Sequence, residues 1–186
     1  HHMRGRPFSI SIDDFIRTGN FGAIKPGMLA DEIKKVFPKP DSVNPMGDGM
    51  VIWLYSRLEF HFFDDELSLI WCDWLDALRN PQKKQFKLDR GFLNGRTDIV
   101  TISKLLKSWD KHYEVIGYYS DDKLESIMYD FSPMTFYFEG DENTKINRWE
   151  LNAIGAKSDN FTHNYTSPWY TKLDVDFNTD LLEENK

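Results

Sequence analysis

Apolar residues at Leu29, Ile33, Val36 and Phe37 fall at i, i+4, i+7 and i+8, the spacing that lines one face of an α-helix. Asp31 and Glu32 near its start and Lys34 and Lys35 near its end suit the helix dipole, and Pro38 and Pro40 stop it. Ahead of it, residues 8–17 mix alternation at Phe8, Ile10 and Ile12 with a short helical turn over 13–17, closed by Thr18-Gly19-Asn20. Behind it the period drops to two. Residues 51–55, 58–63 and 67–74 read as three strands, with Gly47-Asp48-Gly49 before the first and Asp64-Asp65-Glu66 before the third. Such short connections imply an antiparallel meander. In the second strand, Leu58, Phe60 and Phe62 share one face and Glu59, His61 and Phe63 the other.

Asn80-Pro81-Gln82-Lys83-Lys84 reads as a linker, and after Leu93-Asn94-Gly95 the order begins again. Thr97 is the expected N-cap, with Asp98 behind it. Ile102, Leu105, Leu106 and Trp109 repeat the helical spacing. Strands are predicted over 113–119, 124–131, 135–139 and 146–154. Phe136-Tyr137-Phe138 echoes Phe60-His61-Phe62, and Leu151 with Ile154 echoes Leu67 with Ile70. The two series stand roughly 70 to 85 residues apart. The expected fold is therefore α+β, with two tandem divergent units over 8–80 and 92–156. Each is a helix, or helix pair, packed on an antiparallel meander of three to four strands. A polar tail, 157–186, follows, with Trp169 and Tyr170 as its anchor on the body. His1-His2-Met3 resembles the end of an expression tag and is left out.

Composition changes the picture in three ways. Fourteen Phe, eight Tyr and six Trp exceed what a simple core of this size usually requires, which fits a dense core first and an adhesive face as the alternative. A formal net charge of -7 makes nucleic acid an unsuitable partner and suits a basic one, with solubility alone as the plainer reading of the same charge. A single cysteine, Cys72, excludes an intramolecular disulfide and a Cys-rich zinc site. It sits in a strand-like run, where a buried inert thiol is expected. With no secretion signal and no apolar run long enough to span a membrane, the expectation is a cytoplasmic protein without membrane contact.

One set of motifs in the first unit carries a resemblance. Thr18-Gly19-Asn20-Phe21-Gly22 is followed by Ile24-Lys25-Pro26-Gly27-Met28, then Val36-Phe37-Pro38-Lys39-Pro40-Asp41. Trp53-Leu54-Tyr55, Leu58-Glu59-Phe60 and Leu67 with Ile70 complete the set. It resembles small bacterial immunity-type proteins, and is similar to the helix-sheet domains of outer-membrane assembly lipoproteins and of the tandem-repeat inhibitor of β-lactamases. Phe37-Pro38 departs from the Leu-Gly pair of that pattern, and the lack of a lipoprotein cysteine near the N-terminus points away from an envelope lipoprotein. The resemblance implies a binding module, of a kind that stands beside secreted toxins as their immunity proteins.

Catalytic signatures are missing: no phosphate-binding glycine loop, His-Glu-x-x-His or Gly-x-Ser-x-Gly occurs. His61, His112 and His163 are widely spaced, and the carboxylate pairs sit at turns or helix starts, where they cap and solvate. No catalytic residue, cofactor or metal ligand is expected. If helices cover one side of the sheet, the other offers aromatic and acidic side chains. Trp53, Tyr55, Glu59, His61, Trp71 and Asp73 come from the first unit, and Tyr137 and Glu139 from the second. Such a surface suits a cognate protein toxin, for instance a basic nuclease, bound by a monomer or weak dimer. A self-associating assembly module is the alternative, and a hydrolase using Glu59 and His61 the second. Where the tail packs decides whether this face is open.

Overall fold

Ser11 starts the first helix by accepting the Asp14 N–H on its hydroxyl at 3.1 Å, and Gly19 ends it at φ 76, donating its N–H to the Phe15 carbonyl. This is α1 (Ile12–Thr18), entered from a short strand, β1 (Ser9–Ser11). The structure, a computed structural model, describes residues 8–73, 75, 78–161 and 167–178. Trp74, His163 and the acidic end from residue 179 lie outside them. In α2 (Ala30–Val36) the Glu32 carboxylate reaches back to the Leu29 N–H at 3.2 Å. The buried stripe is Ala30, Ile33 and Phe37, while Leu29 and Val36 are 48% and 56% exposed. Leu29 adopts an extended backbone as the N-cap, so it stands outside the helical period. In α3 (Ile99–Ser108) the cap is Asp98 rather than Thr97, accepting the Thr101 N–H at 2.8 Å.

The strands are β2 (Ser42–Gly47), β3 (Met50–Tyr55), β4 (Leu58–Phe63), β5 (Glu66–Asp73), β6 (Lys87–Asp89), β7 (Glu114–Ser120), β8 (Lys123–Phe131), β9 (Met134–Glu139), β10 (Glu150–Lys157) and β11 (Tyr170–Leu173). Nine form one antiparallel sheet in the order β11-β7-β8-β9-β10-β5-β4-β3-β2, while β1 and β6 pair in parallel. Three hairpin turns carry a pair of residues at positive φ: Asp48-Gly49, Asp64-Asp65 and Asp121-Asp122. That is the geometry tight hairpins demand, and Asp tolerates it. These carboxylate pairs thus close turns. The sheet is continuous because β5 and β10 pair edge to edge, Trp71 opposite Gly155 and Cys72 opposite Ile154. Outward from this seam the order is β4, β3, β2 on one side and β9, β8, β7, β11 on the other.

Helices of both halves pack on one face of this sheet. Phe15 of α1 meets Phe21 edge-on at 5.5 Å, and Phe21 meets Phe60 of β4 at 5.9 Å. Phe37 after α2 meets Tyr55 of β3 at 5.4 Å. In α3, the Ser103 and Tyr129 hydroxyls share a hydrogen bond at 2.6 Å. These aromatic residues belong to one contiguous core. The halves also interlock through the Arg17 guanidinium, 4.2 Å from the Trp109 ring, and through Asp13, which accepts the Phe92 N–H at 3.0 Å.

Several sequence expectations are corrected here. Residues 80–84, which read as a linker, are held to the first half by the Gln82 and Lys83 N–H groups donating to Asp41, and just beyond them Phe86, 1% exposed, joins the rings of Phe21, Phe37 and Tyr55 and β6 pairs with β1. Residues 146–148 form a 3-10 turn, so the strand predicted from 146 starts at Glu150. The tail adds β11 to the sheet edge and buries Phe177, while Trp169 is 59% exposed. Strand β2 was not foreseen, because Pro45 and Gly47 disfavour strands. Its edge position and the bulge between them accommodate both.

Asp41 ties this half together. Its Oδ2 accepts the Ser56 and Gln82 N–H groups at 2.7 and 3.1 Å, and its Oδ1 the Lys83 N–H and the Gln85 amide at 3.1 Å each. Burial alone would push the carboxyl up, but the hydrogen bonds to Ser56, Gln85, Gln82 and Lys83 outweigh it and hold the group below its ordinary 3.8. The stabilisation is therefore fully present above 3.8 and lost as pH falls through the lower folded value. Asp41→Ala is expected to cost about 2 kcal/mol at neutral pH, at the modest end because water reaches the group. In urea unfolding across pH, its gap to the unmodified chain should narrow only in acid. A gap independent of pH would contradict the role.

Candidate functional site

The strand registers decide which side chains share a face. Trp53 lies opposite Phe60 and Tyr55 opposite Leu58, so both point toward the helices. Their exposures are 5% and 1%. The Tyr55 hydroxyl donates to the Pro38 carbonyl at 2.7 Å, and Trp53 packs on Phe62 at 4.4 Å. Neither residue belongs to the exposed face expected for them, which is a correction. The reason is arithmetic. The two-residue turn Ser56-Arg57 pairs odd-numbered residues of β3 with even-numbered residues of β4, so Ile52 and Leu54 are the ones that accompany His61 and Glu59.

The other six candidates share the opposite face, on which no helix among the described residues packs, called the helix-free face from here on. One row runs Leu54, Glu59, Trp71, Gly155, Thr135, Asp130 across the sheet. The next runs Asp73, Ala153, Tyr137, Met128, Ile116, and a third Glu139, Ser126, Tyr118, Tyr170. His61 stands opposite Ile52 and Leu69. The centre of the face is aromatic. Trp71 meets Tyr137 at 5.2 Å and 66° between the rings, across the seam. Gly155 makes room for this: a Cβ there would lie 3.2 Å from Trp71 Cε3 and 3.3 Å from Leu69 Cδ1. Burial, then Tyr170 and Asp130, push the Tyr137 phenol up, so it stays neutral at physiological pH.

Charge surrounds the rings. His61 Nε2 and Glu59 Oε1 lie 3.0 Å apart, with side chains 16% and 24% exposed. The cross-strand neighbours of this pair are Ile52, Leu54, Leu69 and Trp71, none of which carries a hydroxyl, thiol or carboxylate. Lys157 binds Asp130 at 3.1 Å and Lys172 binds Glu114 at 3.1 Å. Among the described residues, Glu59, Asp73 and Glu139 have no lysine or arginine in ion-pair reach, so the face carries net negative charge. Sequence reasoning missed Tyr118 with Tyr170, 5.3 Å apart, and the paired Asp130 and Lys157. The signal for the aromatic centre was a glycine, Gly155, placed to face a large ring.

Cys72 faces the core opposite Leu58 and Ile154 and is 1% exposed. Burial, then the charges of Asp73 and Glu59, push its thiol up to about 12. The native chain at pH 8 should leave a thiol reagent such as iodoacetamide unreacted, and react once unfolded in guanidinium. Rapid native alkylation would show that this strand opens.

Among the described residues, no cluster of three or more His, Cys, Asp or Glu is placed to hold a metal ion. No helix among them is long and apolar enough to cross a membrane. Compared with known proteins, the chain matches no protein family, no curated protein and no solved structure.

Proposed function

We propose that this chain is a binding protein that docks the helix-free face of its sheet onto a basic partner protein. The observation that carries this reading is the Trp71–Tyr137 pair seated over Gly155 at the middle of the sheet, with Glu59, Asp73 and Glu139 around it. A tryptophan and a tyrosine ringed by carboxylates have the composition of an interface centre. Carboxylates with no lysine or arginine partner speed the approach of a basic surface and reject an acidic one.

The partner class follows from the resemblance of the first half to immunity-type proteins: a bacterial toxin, held inactive in the cytoplasm by occlusion of its active site. In this reading the two halves, each with a helix followed by a four-strand meander, are divergent copies of one unit, and both would contact one partner across the seam. No catalysis is required of the chain. It acts as a monomer, since β2 at one sheet edge is interrupted by Pro45 and a bulge, and β11 at the other has four residues.

The experiment is co-expression with the product of the adjacent gene. A stoichiometric complex and rescue of growth from that product are the expected results. A harmless neighbour that does not co-purify would remove the toxin from the proposal. Concentration-dependent dimers in sedimentation would favour an assembly module instead.

A further inference from the structure

We infer that the cleft between α2 and β2 binds a small organic anion with an aromatic or branched apolar body. This rests on residues separate from the helix-free face and does not depend on the reading given for it. The cleft has a volume of about 460 Å³ and opens between the end of α2, the start of β2 and the loop at Lys83. That size lies within the range of small-molecule sites. Phe37, Val43 and Trp53 form its apolar wall, and Val43 is 55% exposed, as a side chain awaiting cover would be. Three exposed lysines, Lys34, Lys39 and Lys83, stand around it.

Three ammonium groups around one apolar cleft run against a chain of net charge -7. Asp41 also lines the cleft and stays ionised, held by the neutral amide donors already described, so three ammonium groups face one carboxylate and the cleft keeps a net positive charge. The lysines are weakly engaged. Lys34 lies 3.5 Å from Asp31 with both side chains in water, and Lys83 Nζ is 3.4 Å from the Pro40 carbonyl. An apolar body against the wall and a carboxylate or sulfonate near these ammonium groups would complement both features. An extended peptide fits less well. Pro45 removes a donor from the free edge of β2, and the bulge between Pro45 and Gly47 breaks the ladder a new strand would follow.

The probes are 3-phenylpropionate and its neutral amide, titrated into the full chain and followed by amide and indole NMR signals. The acid should bind saturably in the millimolar range, shift the signals of Val43 and Trp53, and weaken as salt is raised. The amide should bind about tenfold more weakly. The double variant Lys39→Glu, Lys83→Glu should retain its melting temperature and lose the preference for the acid. Equal binding of acid and amide would overturn the inference. So would shifts centred on Trp71 and Tyr137, the absence of saturable binding, or a double variant that keeps the preference.

Discussion

Phe60→Ala is expected to lower the unfolding free energy by about 4 kcal/mol. Phe60 is 0% exposed and sits where every part of the first half converges. Its ring lies 5.9 Å from Phe21, 5.9 Å from Phe37 and 5.1 Å from Tyr55, and its strand neighbours in register are Trp53 and Ile70. Truncation removes both the transfer energy of the ring and the dispersion contacts of its neighbours, which are held by different elements and cannot all collapse into the gap. For a chain of this length the melting temperature should fall by roughly 8 to 16 °C. Phe60→Leu keeps most of the volume and should cost about a third as much. Urea unfolding measures both. A loss below about 1.5 kcal/mol for the alanine variant would mean that the site relaxes freely and that this cluster is not the centre of the core.

Trp71→Ala is expected to weaken the proposed complex at least 100-fold, or about 3 kcal/mol. Trp71 is the largest side chain on the helix-free face, set on the seam against Tyr137 and over Gly155. A partner seated there would desolvate an indole already fixed by its neighbours, with little rotamer entropy left to lose. Asp73→Lys should act differently, slowing association and removing its salt dependence while changing dissociation less. Trp53→Phe, on the helix side of the sheet, should leave binding to the partner unchanged. Surface plasmon resonance with the purified partner separates these effects, and melting curves on the same variants separate binding from folding. If Trp71→Ala binds normally while remaining folded, the face is not the interface.

Much of the local structure was legible along the chain. Residues 58–63 were expected as a strand and are β4 from Leu58 to Phe63, because alternation at period two and polar turns on both sides leave no other reading. Asp64-Asp65 and Asp121-Asp122 announced hairpin turns, and Gly19 a helix end. The α+β class and the antiparallel meanders follow from these local signals. So does the pairing of Glu59 with His61, which the pleat alone puts on one face.

Other features depended on burial by residues distant in sequence. Alternation divides a strand into two faces but does not say which one the helices cover. Trp53 and Tyr55 therefore looked available for contact, yet lie beneath α2 and its following turn, on the same side as Phe60. The length of the Ser56-Arg57 turn already held that answer, since it sets the register. Phe86 follows directly on the polar stretch 80–84 that reads as linker, and only the cluster of Phe21, Phe37 and Tyr55 draws it in. The seam between β5 and β10 had no local signal, because edge-to-edge pairing is specified by two strands more than 75 residues apart. The sequence by itself determined the elements, their turns and the aromatic and acidic residues available to a partner. The tertiary structure alone decided which face the helices cover and that the strands of both halves join in one sheet, because that choice rests on long-range burial of apolar surface, which local periodicity does not encode.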